Sequence, residues 1–268
     1  MLKDITLGQY FPGDTVAHRL DPRTKILMVV FYIIALFCAK DLITYGILAL
    51  CLALCVHISK VGVRSLVRGL KPVTIIIIFT ATLNLFFTPG NKTLFRWGFL
   101  QISDTGIHNA VFMVLRIMML IMGTFLMTYT TSPISLTDGL ERLLNWMKAL
   151  HVPVHELAMM MSIALRFIPT LVEETDKIMS AQKARGADFE SGNLIEKAKA
   201  LIPILVPLFI SAFRRADELA TAMECRCYHG GEGRTKLNVL KYQRRDILAL
   251  GISGAIMVGV IVLSRFGL

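Results

Sequence analysis

Two hydrophobic patterns alternate along the chain. In the first, apolar residues run almost unbroken: Ile26–Ala39, Leu42–Ile58, Val73–Phe87, Ile107–Thr130 and Ile247–Leu263. Such runs predict helices that cross a bilayer. The first and third fall short of the ~20 residues a straight span needs, so they must borrow flanking residues or sit where the bilayer is thinned. In the second pattern, apolar residues return every third or fourth position, which puts them on one face of a helix.

This second pattern fills the stretch from Ser132 to Arg245. Pro133 and Ser135 open a short helix over Leu136–Leu150, with Leu140, Leu143, Leu144 and Met147 on one side. Pro153 marks a break before a long helix, Val154–Arg185, in which Pro169 predicts a kink. At ~1.5 Å per residue this helix would reach about 45–50 Å if straight. Leu157, Met160, Met161, Ala164, Leu165, Phe167 and Ile168 make its first half apolar nearly all round, whereas Glu173, Glu174, Asp176 and Lys177 make the second half wet. A third helix, Leu194–Arg226, carries the stripe Ile202, Leu205, Phe209, Ala212, Ala216, Leu219 and Met223. Its other side holds Arg214, Arg215, Asp217, Glu218 and Glu224, with Arg214 and Glu218 spaced for an intrahelical ion pair. The expected fold is an all-α integral membrane protein of about five spans plus three amphipathic helices. It is organised as 1–131 (first four spans), 132–242 (amphipathic region) and 243–268 (last span).

Composition agrees: 54% hydrophobic residues against 18% charged, with a mean hydropathy of +0.61, exceed what a soluble chain of 268 residues carries. Charge placement adds orientation. Arg19, Arg23 and Lys25 precede the first span, Lys60, Arg64, Arg68 and Lys71 follow the second, and the block from Arg142 to Arg245 follows the fourth. Lys40-Asp41, Thr88–Thr105 and the tail are lightly charged, so the amino terminus is expected inside and the carboxyl terminus outside. The formal charge of +10 follows from this asymmetry. A nucleic-acid partner is not expected, because the basic residues border spans instead of forming one stripe. The amino terminus lacks the continuous apolar core of a cleavable signal.

Little in the chain points to catalysis. Gly230-Gly231-Glu232-Gly233-Arg234-Thr235-Lys236 has the wrong order for a phosphate-cradling loop. His151 and His155 have metal-pair spacing, but Glu156 is misplaced and no third ligand follows, so interfacial surface residues are the better reading. Cys38, Cys51 and Cys55 lie in apolar runs as small hydrophobes, and Cys225, Cys227 and His229 do not complete a four-ligand zinc set. No catalytic residue, metal ligand or cofactor of the chain's own is expected. Arg116 and Asn84 lie inside spans, where pairing within the bundle competes with a transport role. Two further arginines, in Ala184-Arg185-Gly186 and Cys225-Arg226-Cys227, end the two long amphipathic helices between small residues. A cation there complements the helix dipole by a few tenths of a kcal/mol. Two of them at the ends of consecutive helices also suit docking on a protein partner. A coupling subunit, a self-sufficient channel or secondary transporter, and a membrane-embedded enzyme are the classes to separate. The second would prefer ionisable pairs in repeated broken helices, and the third needs an acid, base or metal cluster.

These motifs together resemble a family: the transmembrane T component of energy-coupling factor (ECF) transporters of the ABC type. His18-Arg19-Leu20-Asp21-Pro22-Arg23-Thr24-Lys25 is similar to the family's amino-terminal signature, of which Asp21, Pro22, Arg23 and Lys25 are the core. Ser132-Pro133 with Gly139-Leu140-Glu141 resembles its first coupling helix, and Leu165-Arg166-Phe167-Ile168-Pro169 also fits. Ala184-Arg185-Gly186 matches the first x-Arg-Gly motif; Cys225-Arg226-Cys227 keeps the arginine and departs at the glycine, which calls the tight backbone turn there into question. The resemblance implies a prokaryotic cell-membrane protein whose three cytoplasmic helices are coupling helices. Arg185 and Arg226 would each sit in a groove of one of two ABC-type ATPase subunits, which bind the ATP and Mg. A membrane-embedded substrate-binding S component would take up a vitamin or a transition-metal ion. The methionines Met159, Met160 and Met161 suit a surface that meets the S component, since methionine adapts to more than one partner.

Overall fold

The computed structural model describes residues 10–88, 93–97, 100–189, 193–230 and 239–266; the glycine-rich segment 231–236 lies outside them. The chain divides into two compact units, Gly8–Gly139 with Leu240–Leu268, and Leu140–Val239.

The first unit begins with a single turn, α1 (Val16–Arg19), followed by α2 (Pro22–Cys38) and α3 (Leu42–Ser59). Helix α4 (Val63–Leu70) passes through a 3-10 turn, Lys71–Val73, into α5 (Thr74–Phe87). The expected third span is therefore longer than its apolar run, forming one helical stretch Val63–Phe87. In α4 the pattern is amphipathic: Leu66 and Leu70 are buried while Arg64 and Arg68 face out. The connection to α6 (Asp104–Thr130) holds a short antiparallel hairpin, β1 (Thr93–Trp97) and β2 (Leu100–Ser103), with Thr93 opposite Ser103 and Trp97 opposite Leu100. This hairpin is the one departure from the expected all-α architecture among the described residues. Helix α7 (Pro133–Leu143) straddles the boundary between the units, and α10 (Arg244–Phe266) returns to the first.

Among the described residues, five helical stretches are long and apolar enough to cross a membrane: Leu42–Ser59, Val63–Phe87, Asp104–Thr130, Val154–Ala184 and Arg244–Phe266. At 17 residues α2 is shorter, and its contacts explain why. Lys25 near its start bonds the carbonyl of Thr130 at the end of α6, and Arg116 in mid-α6 donates to the carbonyl of Ala39, at its end. The two helices are thus antiparallel, and α2 stops beside the middle of α6, about 18 Å from where α6 begins. Arg116 supplies what the stopped helix lacks. Its Nη2 lies 3.2 Å from the Ala39 oxygen and its Nε 2.9 Å from the Tyr45 hydroxyl. Ser264 of α10 donates to the Cys38 carbonyl at 2.8 Å. A cation on unpaired carbonyls at a helix carboxyl end is favoured by both hydrogen bonding and the dipole. Of the two readings open for Arg116, the geometry gives pairing within the bundle. Asn84 is also paired locally, donating to Thr80 O at 2.9 Å.

Ala35, Leu36, Ala39, Tyr45, Leu48, Met119 and Val260 form the main core, where α2, α3, α6 and α10 meet. Close approach needs small residues. A Cβ on Gly123 would stand 2.8 Å from Tyr32 Cε1, and one on Gly139 would stand 2.9 Å from Pro22 Cβ. The second contact brings together two segments of the family resemblance, more than a hundred residues apart.

In the second unit, the helix expected over Leu136–Leu150 becomes a 3-10 turn, Leu144–Leu150, after α7. His151 ends it in the left-handed conformation (φ 60°), and Pro153 prevents continuation. Two long helices follow, α8 (Val154–Ala184) and α9 (Leu194–Cys225); α8 includes Pro169, and α9 includes Pro203 and Pro207.

Candidate functional site

The two terminal arginines stand in equivalent backbone settings. At the end of α8, Gly186 takes φ +89° and its N–H donates to Lys183 O at 3.0 Å, while the N–H of Ala187 donates to Gln182 O at 3.0 Å. At the end of α9, Cys227 takes φ 57° and donates to Glu224 O at 2.8 Å, while Tyr228 donates to Met223 O at 3.0 Å. Both are complete Schellman caps, with the arginine as the last half-helical residue. The turn put in question by the missing glycine is therefore present: Cys227 adopts the left-handed conformation that glycine would take without strain. Arg185, Arg226 and all four flanking small residues are exposed, and neither arginine has an ion-pair partner among the described residues.

A left-handed non-glycine residue costs roughly 1 kcal/mol, partly offset by glycine's larger entropy loss. Cys227→Gly should therefore hold the α9 cap closed more firmly, slowing amide exchange at Tyr228 by up to about fivefold. Cys227→Val, β-branched at positive φ, should speed it. Equal exchange in the two variants would mean that the positive φ does not govern this cap.

The second unit also shows how α8 and α9 are joined. Glu174 of α8 accepts hydrogen bonds from Ser211 and Arg215 of α9, and Gln182 Nε2 reaches Pro203 O at 3.4 Å. Positions rise along α8 as they fall along α9, so the helices pack antiparallel. From the Glu174 contact, Arg185 lies about 16 Å along α8 and Arg226 about 20 Å along α9 in the opposite sense. The tips point away from each other and are up to about 35 Å apart. The ion pair expected between Arg214 and Glu218 is not among those observed; Arg215 reaches Glu174 instead, because a partner across the helix interface is less exposed to water than one on the outer face. His155 is also unlike its surface reading: its Nδ1 lies 2.9 Å from Glu141 Oε1, and the two side chains are 18% and 15% exposed. His151 is exposed, as expected.

The amino-terminal signature forms a second cluster, in the first unit. Asp21 caps α2, accepting from Arg23 N at 2.9 Å, and holds the Arg23 guanidinium through Nε at 3.1 Å and Nη2 at 2.9 Å. Pro22 occupies the first helical position, where its missing N–H is harmless. Arg23 also bonds Leu240 O at 3.2 Å and lies 4.0 Å over the Tyr242 ring. Lys25 donates to Thr130 O at 2.8 Å and to His18 O at 3.2 Å. Sequence reasoning missed the partner that completes the cluster. Asp246, 2% exposed, accepts the Asp21 N–H at 2.8 Å through Oδ1 and the Gln243 N–H at 2.8 Å through Oδ2. An acid three positions after Gln243 at the start of α10 was the available signal, being half of a capping box. These bonds tie the starts of α2 and α10 to the end of α6.

A family described as "Cobalt transport protein" (CbiQ) matches residues 13–237. The energy-coupling factor transporter transmembrane protein EcfT of Clostridium kluyveri is 55% identical over 99% of this chain and 98% of its own. Its counterpart in Ruminiclostridium cellulolyticum is 51% identical over 98% of each chain, and that of Bacillus subtilis 49% identical over 92% of this chain and 93% of its own. Similarity of this extent embraces the buried signature and both arginine-tipped helices alike. The chain belongs to the CbiQ/EcfT-like family of transmembrane T components of energy-coupling factor transporters.

Proposed function

We propose that this chain couples two ABC-type ATPase subunits to a membrane-embedded S component in a prokaryotic cell membrane, for uptake of a vitamin or a transition-metal ion. The observation that carries the reading is the pair of exposed arginines on matching helix caps, aimed apart from the ends of one clamped antiparallel pair. Two cations up to about 35 Å apart suit two separate subunits better than one groove. Arginine's planar, permanently charged fork fits a carboxylate- or carbonyl-lined groove. Nucleotide and Mg would be bound by the ATPases, whose closure would move the tips. The Glu174 contacts would make α8 and α9 move together, and the apolar first half of α8 would carry the motion to the membrane. There Leu157, Met160 and Met161, roughly half exposed at 46%, 55% and 49%, offer an adaptable surface for the S component. The assignment divides the chain into 1–131, 132–242 and 243–268, with the amino terminus and both tips in the cytoplasm and the carboxyl terminus outside.

One labelling experiment tests docking and orientation together. In a background lacking the other cysteines, Cys225 alone, or Ala184→Cys alone, should react with an impermeant maleimide in inside-out but not right-side-out vesicles, with Thr105→Cys reacting in the opposite sense. Co-expression of the two ATPase subunits should protect both tip positions. Labelling of the tips from outside would overturn the orientation, and unchanged reactivity in the assembled complex would overturn the docking.

A further inference from the structure

The first unit holds a half-open cavity of about 480 Å³ among α2, α3, α6 and α10. Its walls are apolar: Met28, Leu48, Leu52, Ile256 and Met257 are typical of them. Polarity is concentrated at one end. Lys25 stands in the first turn of α2 and Arg245 in the first turn of α10, and both line the cavity where α6 finishes at Thr130. Lys25 is 7% exposed, and its two backbone acceptors leave one ammonium proton unassigned. Arg245 is exposed, with no ion-pair partner among the described residues. The nearby carboxylates of Asp21 and Asp246 are already engaged by the Arg23 guanidinium and by backbone N–H groups.

We propose that this cavity is a binding site for one anionic phospholipid, with an acyl chain between the apolar walls and the headgroup phosphate at Lys25 and Arg245. The apolar walls and the cations at one end match the two parts of a lipid, a hydrocarbon chain and an anionic headgroup. Charge selects the headgroup: a desolvated cation at the mouth of an apolar pocket favours an anionic over a zwitterionic lipid. A single charge-assisted contact is worth roughly a tenfold preference. The inference needs only that the chain resides in a membrane, and is independent of the coupling role.

Two native thiols on the wall, Cys51 and Cys55, report occupancy without disturbing the site. The full chain, co-expressed with its partner subunits and carrying serine at Cys38, Cys225 and Cys227, would be delipidated in mild detergent and treated with N-ethylmaleimide. Added phosphatidylglycerol should slow the alkylation of Cys51 and Cys55, saturating at one lipid per chain by native mass spectrometry, at about tenfold lower concentration than phosphatidylcholine. Glycerophosphoglycerol, the headgroup without chains, should give no protection. Arg245→Gln should narrow the preference between the two lipids, Lys25 remaining in place, while leaving protection by either. The proposal fails if the two lipids protect equally in the unaltered chain or if the headgroup alone protects. It fails equally if protection persists after delipidation and depends only on the partner subunits.

Discussion

Uptake into proteoliposomes containing the full complex should fall at least tenfold in Arg185→Ala and in Arg226→Ala, and approach background in the double variant. Each guanidinium is exposed in this chain and so free to be desolvated by a partner groove. Removing it would leave carboxylates or carbonyls of that groove buried and unpaired, a loss of about 2–5 kcal/mol at interfaces of this kind. At about 1.4 kcal/mol per factor of ten, even the lower figure weakens docking more than tenfold. Lysine should restore little at either position, because a point charge does not reproduce the two parallel bonds of the fork. The control has to be Arg214→Ala, on the exposed face of α9. Arg215→Ala would be a poor control, since it also opens the Glu174 contact that holds α8 to α9. Wild-type uptake by the double variant, with Arg214→Ala defective, would remove the helix tips from the coupling path.

The helices that carry these tips were legible in the sequence because their limits are set locally. Pro153 and Gly186 punctuate α8, and the stripe from Ile202 to Met223 defines α9, so the expected ends differ from the observed ones by one residue. Where the sequence misled, the deciding interaction was distant or conformational. Cys227 takes a glycine's backbone angles because two carbonyls of the last turn of α9 need donors, and residue type alone does not announce that. The short first span was evident, but its cause was not: Arg116 closes its carboxyl end from the middle of another helix. Arg215 and Glu174 find each other across 41 positions and displace the local pair with the expected spacing. The joining of α4 to α5 and the hairpin before α6 depend on pairings that hydropathy does not register. Within the signature, residue types pointed to Asp21, Arg23 and Lys25, while their common anchor lies at the far end of the chain.

That anchor sets the second large expectation: Asp246→Ala should lower the thermal midpoint of the detergent-solubilised protein by on the order of 10 °C. The carboxylate is 2% exposed and accepts two backbone N–H groups, from Asp21 and Gln243. Deleting it orphans the buried Asp21 N–H, at about 1–3 kcal/mol, and also frees the partly buried Gln243 N–H. It also removes the acid from the first turn of α10, where the helix dipole favours negative charge. Finally it strips one of two buried carboxylates from the neighbourhood of Arg23 and Lys25, and uncompensated buried charge is among the costliest defects a fold carries. Asp246→Asn should fall between alanine and wild type. Its amide oxygen replaces one acceptor, but its NH₂ group then faces an N–H where the second carboxylate oxygen had accepted. Asp14→Ala is the comparison, because Asp14 is 96% exposed and meets Arg19 only at 3.7 Å; surface pairs of that kind contribute little. Because α2 and α10 are tied at this point, the loss should appear as early release of the carboxyl-terminal helix. A cysteine at Val260 on α10, a position 1% exposed in the folded chain, should become reactive to maleimide below the main unfolding transition in Asp246→Ala, and should stay protected in Asp14→Ala. If Asp246→Ala melts within about two degrees of wild type, the buried carboxylate is not what fastens the last helix to the first.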